Sequence, residues 1–283
     1  MKENALVDYA SQLGHFAKFF VAMPRVVLDR GMLIISIDID VGNKELGLVN
    51  RGKNDRNVNN QLSEFSVGAV EELALPMFLD LFEKFDHPVT FAVRGQWLDY
   101  PNVVLDRLLS TSVQHDLAGH GYFHTRFDEL SSEEAHNELK KVRAAMKRHC
   151  KFPTSFIFPK NRVAHLDLLP MYGFRSYRAR GGIRRDGLYI TNRGQLWDIH
   201  PSLYISDRTS YILTKILDLC LSRRLPFHIW FHLWNFGNTR DSIQKKLTSY
   251  FQPILQYARL KALEGTLSIE TMSSAVKAVK VSE

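Results

Sequence analysis

Residues 32–41, MLIISIDIDV, form an unbroken β-branched run that ends on two carboxylates, and short apolar runs of the same kind recur down the chain with helical stripes between them. A strand that is apolar on both faces must be covered on both, and the crossover that returns the chain to a parallel neighbour is usually a helix. The alternation therefore specifies an α/β fold with a parallel sheet, either closed into a barrel or doubly wound. The pattern predicts strands at 32–41, 89–93, 116–119, 154–158, 174–177, 195–199, 227–232 and 267–270. It predicts helices at 67–85, 101–109, 164–172, 209–221 and 242–263, and a further helix that opens at Ser131 ahead of Glu133 and Glu134. The polar stretch 43–66 has neither period and reads as a long loop over the end of the first strand.

No linker rich in Pro, Gly or Ser divides the 283 residues, so one barrel unit is expected over 31–283, with 1–30 as a helical or irregular segment packed on it. A hydrophobic content of 45% is enough for a full core. No apolar run approaches the roughly 18 residues of a bilayer span. The stretch 16–28 is broken by Lys18, Pro24 and Arg25 and lacks a small-residue cleavage site, so a cytoplasmic protein is expected. Cys150 and Cys220 have no further ligands at metal-site spacing and read as buried thiols. The formal charge of +7 is compatible with nucleic acid, anionic lipid or an acidic glycan and selects none of them. The cationic stretch 175–185, with Arg178, Arg180, Arg184 and Arg185 around Gly181 and Gly182, carries no phosphate-loop motif and reads as a solvated basic loop.

Three clusters carry chemistry. Asp38 and Asp40 alternate along a strand, so both carboxylates leave the same face and repel unless a cation or a proton lies between them; the bland reading is one capping aspartate and one facing solvent. Residues 115–124, HDLAGHGYFH, place His120 and His124 four apart at a strand end, a separation at which two imidazoles can reach one cation. Two histidines and one aspartate make an N,N,O set that leaves positions on Zn²⁺ or a similar ion open for water and a substrate oxygen, and the second aspartate is then available as general base. Residues 227–235 put His228, Trp230 and His232 on one strand face, with His232 at the exit, where the active sites of barrels gather; the bland reading is an aromatic core patch. Asp198 and His200, just before Pro201, read either as contacts of the site or as anchors of a loop.

Taken in order, these clusters resemble the polysaccharide deacetylase superfamily, carbohydrate esterase family 4, from about Leu33 to Glu270. Residues 36–40, SIDID, look like its first motif in the D-x-D form, and residues 88–95, PVTFAVRG, are similar to its second strand. Residues 115–124 followed by 130–135, LSSEEA, look like the H-x-x-x-H motif and the helix after it. Asp198 falls where the fourth motif is expected, and residues 230–232, WFH, resemble the fifth. The resemblance implies a single distorted (β/α)7 barrel, TIM-barrel-like, with one divalent metal, and hydrolysis of an N- or O-acetyl group on a sugar. It implies Asp38 as base, Asp40, His120 and His124 as metal ligands, and His232 as general acid. Zn²⁺ is the expected ion, with Co²⁺, Ni²⁺ or Mn²⁺ as alternatives. The expected partner is an acetylated sugar or glycan and not nucleic acid, while peripheral membrane contact stays open. Lys160, Asn161, Asp198, His200, Trp234 and Asn235 are the expected substrate-binding residues.

One motif departs from the pattern. The family's third motif has an Arg followed by prolines, whereas this chain has Phe158-Pro159-Lys160-Asn161-Arg162, with Phe158 in the Arg position. The usual partner of the base is then either missing or supplied by Lys160 or Arg162. Two readings stand beside the deacetylase: a small-molecule amidohydrolase acting on a non-sugar C–N bond, and a retired barrel that only binds glycan.

Overall fold

The computed structural model describes residues 28–39, 69–99, 104–149, 151–178, 190–205 and 213–279. Asp40, Cys150, the expected loop 43–66 and nearly all of the expected N-terminal segment lie outside them. The strands are β1 (Gly31–Ile39), β2 (Thr90–Val93), β3 (Asp116–Gly119), β4 (Ser155–Ile157), β5 (Ser176–Arg178), β6 (Ile190–Arg193), β7 (Leu196–Ile199), β8 (Leu203–Tyr204), β9 (Pro226–His232) and β10 (Leu267–Glu270). They form one sheet in the order β6-β7-β5-β4-β3-β2-β1-β9-β8, with β10 also on β1, and every pair is parallel except β6 with β7.

Period-2 alternation divides the side chains into two layers. On β1, Leu33, Ile35, Ile37 and Ile39 join the large core beneath the helices, while Met32 and Ile34 join a smaller cluster with Ala92, Ala118, Ile157 and Ile199. Strands lie about 4.8 Å apart, so β1 and β7 could not share a cluster across a flat sheet. The sheet is therefore curled into a half-barrel, and the smaller cluster is its inside. Ser36 and Asp38 continue the inward row of β1 toward its C-terminal end.

The helices are α1 (Leu75–Lys84), α2 (Val104–Ser110), α3 (Ser132–Arg148), α4 (Leu213–Ser222), α5 (Arg240–Lys246), α6 (Gln252–Leu263) and α7 (Met272–Ala278). None of the described helices is long and apolar enough to cross a membrane. Ser131 caps α3 as expected, accepting from the Glu134 N–H while the Glu134 carboxylate accepts from the Ser131 N–H. Phe78 on α1 anchors the outer core among Phe82, Phe231, Phe236 and Phe251.

Three expectations are corrected. The helix expected over 164–172 is two 3-10 turns, Leu166–Leu168 and Pro170–Tyr172, because Pro170 has no N–H to offer and Gly173 ends the segment at φ 77°. The helices expected at 67–85 and 242–263 each contain a π-helical segment, Ala69–Ala74 and Leu247–Phe251, just before a proline, Pro76 or Pro253, that removes an i to i−4 bond. Arg178, read as part of a solvated loop, is fully buried on β5. Three of the described strands and α-helices had no counterpart in the sequence reading: the antiparallel β6, the short β8, and α7, whose Met272 and Ala275 plug the bottom of the half-barrel. Cys220 is a buried free thiol, as expected, and burial pushes its pKa up.

Candidate active site

The C-terminal ends of β1, β3, β5 and β9 bring four ionisable side chains together around one oxygen. Asp38 Oδ2 accepts from Arg178 Nη2 at 2.6 Å and lies 4.0 Å from His120 Nε2 and 3.8 Å from His232 Nε2. The register explains the meeting, since Asp38 pairs with His232 across β1 and β9, and His120 follows directly on β3. Asp38 is only 3% exposed. Burial alone would raise its pKa, but the charges of Arg178, His120 and His232 outweigh that and hold it below the ordinary carboxylate range. Its other oxygen, Oδ1, is buried without a hydrogen-bond partner among the described residues.

Backbone and side-chain clamps hold the histidine loop. His120 Nδ1 donates to the Ile157 carbonyl at 2.8 Å, which turns Nε2 toward Asp38. The His124 ring lies 4.8 Å from that of His120, on a residue in the left-handed region at φ 59°. The chain turns between them at Gly121, φ 66°, where a Cβ would also meet Pro159 Cγ at 2.9 Å. Glu138 Oε2 accepts from the N–H groups of Tyr122 and Phe123, and Arg94 Nη2 donates to the Phe123 carbonyl. Neither Arg94 nor Glu138 was among the expected site residues. Glu138 was visible in the sequence as a charge on the stripe Ala135, Leu139, Val142, Met146 that α3 buries.

His232 sits on the expected strand face, and His228 lies deeper on it. The His232 ring stacks on Trp234 at 4.6 Å and 24°, and its backbone N–H donates to Asn235 Oδ1 while Asn235 Nδ2 donates to the Tyr204 hydroxyl. Asn235 thus holds the segment of His232 in place. Lys160 and Asn161 form a turn after β4 with φ 53° and 54°, and Pro159 of that turn packs against Gly121. Asp198 alternates along β7 with Trp197 and Ile199 and forms an ion pair with Arg193 at 3.5 Å. His200 is buried just beyond β7, near His228.

The partner of Asp38 comes from neither expected source. Phe158 lies in an aromatic cluster with Phe127, Phe156 and Tyr177, and Arg162 sends its field to Asp128. The guanidinium on Asp38 is that of Arg178, one strand further on. The signal was present: Ser176 and Arg178 flank Tyr177 with period 2 and so share the inner face.

A divalent ion suits the donors that are described. His120 presents Nε2 toward the site and His124 stands beside it, two imidazole donors for one cation, while the buried unsatisfied Asp38 Oδ1 is left over as a proton acceptor. Among the described residues no three His, Cys, Asp or Glu side chains form a complete ligand set, and the third expected ligand, Asp40, lies outside them.

Fold and site together define a curled parallel α/β protein with its ionisable groups gathered at the C-terminal ends of its strands. The model of the polysaccharide deacetylase family matches residues 65–165, from the helix ahead of β2 to the turn after β4. The fold is shared with a Mycobacterium smegmatis protein assigned as a polysaccharide deacetylase (TM-score 0.65, 15% identity, covering 91% of this chain and 94% of that one). It is also shared with Puue allantoinase (0.64, 13%, 87% and 89%) and with a Pseudomonas aeruginosa PAO1 protein assigned like the first (0.63, 12%, 87% and 90%). At these identities the likeness carries the fold alone. No curated protein matches the sequence.

Proposed function

We propose that the protein is a metal-dependent hydrolase that removes an N-acetyl or O-acetyl group from a sugar in a glycan, glycolipid or precursor. The observation that carries this reading is the convergence of Arg178, His120 and His232 on one oxygen of Asp38 while the other oxygen has no hydrogen-bond partner among the described residues. His120, His124 and Asp40 would hold a divalent ion, Zn²⁺ first among them, which when bound supplies Lewis acidity toward the acetyl carbonyl and an acidified water. Asp38 takes the proton of the attacking water, and Arg178 keeps it ionised for that task. His232, held by Asn235 and Trp234, gives a proton from Nε2 to the departing nitrogen or oxygen. The partly exposed rings of Tyr204, Trp230 and Trp234 around His232 offer apolar faces to the C–H side of a sugar.

Acetate release from a panel of acetamido sugars and O-acetylated glycans tests the reading, with cyclic ureides run in parallel on Zn²⁺-loaded protein. Turnover of the acetylated sugars is expected. Turnover of the ureides alone would transfer the site to a non-sugar amidohydrolase, and glycan binding without any turnover would make it a retired barrel.

A further inference from the structure

We infer that Arg178, Ser36 and His228 form a positioning chain that fixes the Asp38 carboxylate toward the reacting atoms, in place of any cation from the turn after β4. The inference rests on the reading of Asp38 as the base. The fork of Arg178 spans two successive inward residues of β1: Nη2 donates to Asp38 Oδ2 at 2.6 Å and Nη1 to Ser36 Oγ at 2.9 Å. Two anchors on one rigid strand set the plane of a guanidinium as a single contact cannot. The Trp230 ring covers it at 4.5 Å, and Nε has no hydrogen-bond partner among the described residues, so these contacts decide where the group points.

Ser36 accepts from Arg178, since a guanidinium has only hydrogens to offer, and its own proton goes to His228 Nε2 at 2.8 Å. In that arrangement a neutral His228 is the acceptor. Its surroundings hold it so: it is 1% exposed, and burial, together with the nearby Arg178 charge, pushes its pKa down to about 3. Paired bonds to Ser202 lock its backbone, His228 N donating to Ser202 Oγ at 3.0 Å and Ser202 N to the His228 carbonyl at 2.8 Å. The order of the chain is then His228, Ser36, Arg178, Asp38, from the inside of the half-barrel to its rim.

Steady-state kinetics of Arg178→Ala, Arg178→Lys and Ser36→Ala on an acetylated sugar, each with and without added guanidinium salt, tests the inference. Circular dichroism and metal content confirm folding and loading of each variant. Arg178→Ala should lose about 10²–10³ in kcat, the range for removing one preorganised donor, with KM little changed. Guanidinium should restore part of that loss, and Arg178→Lys should lie between Arg178→Ala and wild type. Ser36→Ala should lose about tenfold, near the lower end of what one hydrogen bond to a charged group contributes. A folded, loaded Arg178→Ala that guanidinium does not rescue, or one whose KM rises while kcat holds, overturns the inference and leaves Asp38 as base. An Asp38→Asn variant with wild-type turnover overturns the base reading, and the positioning chain falls with it.

Discussion

Asp116 and Asp38, two of the described aspartates, face the inside of the half-barrel, and their surroundings could hardly differ more. Asp116 stands at the N-terminal end of β3, where one oxygen accepts from Ser273 N and Oγ, Thr90 Oγ1 and Ser155 Oγ. Asp38 stands near the C-terminal end of β1, held by a guanidinium through one oxygen while the other has no partner among the described residues. Desolvation outweighs the neutral donors around Asp116 and raises its pKa, whereas the cations around Asp38 outweigh desolvation and lower it. A carboxylate saturated by hydroxyls and a helix backbone is a joint, here fastening α7 beneath the sheet. A carboxylate with a cation behind it and an oxygen to spare is equipped for proton transfer.

The largest effect expected at the rim is that of His232→Ala, which should lower kcat on an acetamide by about 10²–10⁴, the worth of a positioned acid. An activated aryl acetate, whose leaving group departs without a proton, should be much less impaired. Equal loss on both substrates would mean that His232 orients the substrate instead. The clamp on the histidine loop comes next. Glu138→Leu leaves the Tyr122 and Phe123 N–H groups without their acceptor and should cost about 1–3 kcal/mol in urea unfolding, while Glu138→Gln, which keeps an acceptor oxygen, should stay near wild type. Equal loss in the two variants would show that the carboxylate charge, not the acceptor, holds the loop.

Acid stability is a third and smaller test, and it belongs to the N-terminal ends of β2 and β3, where Asp116 also stands. His87 and His115 are held neutral by burial, with pKa values pushed down to about 3 and about 4. Because the unfolded chain protonates these rings near 6.5 and the folded chain does not, their contribution is present above that pH and is lost as the pH falls from about 6.5 toward 3. The urea midpoint should therefore drop between pH 7.5 and 5, and less steeply in His87→Phe. An unchanged midpoint in wild type would show that the rings titrate alike in both states. The smallest expected change is in Asp116→Asn, which removes a charge the site disfavours, keeps an acceptor and should shift stability by about 1 kcal/mol or less. Collapse of that variant would mean that the ionised form of Asp116 is needed at the joint.

Much of this arrangement was legible from pattern. The apolar run of β1 announced a strand covered on both sides, and the spacing of Asp38, His120 and His232 gave residues that the register brings together. Arg178 was missed because five arginines in a glycine-containing stretch read as solvent-facing, although its alternation with Ser176 marks an inward side chain. The misread helices lie where prolines deprive one turn of its bond, an effect that a 3.6-residue stripe does not register. α7 was missed for another reason: seven residues are too few to show a stripe, and its place is set by Asp116 and the inner core rather than by its own periodicity.

The contrast between the two aspartates comes down to one paired measurement: kcat for acetate release by Asp38→Asn and Asp116→Asn, both folded and both loaded with metal. The account predicts that Asp38→Asn retains its metal and loses about 10²–10⁴ in kcat, since an amide keeps the shape but cannot take a proton, while Asp116→Asn stays close to wild type. Comparable activity in the two variants, or loss of metal together with activity in Asp38→Asn, would contradict it.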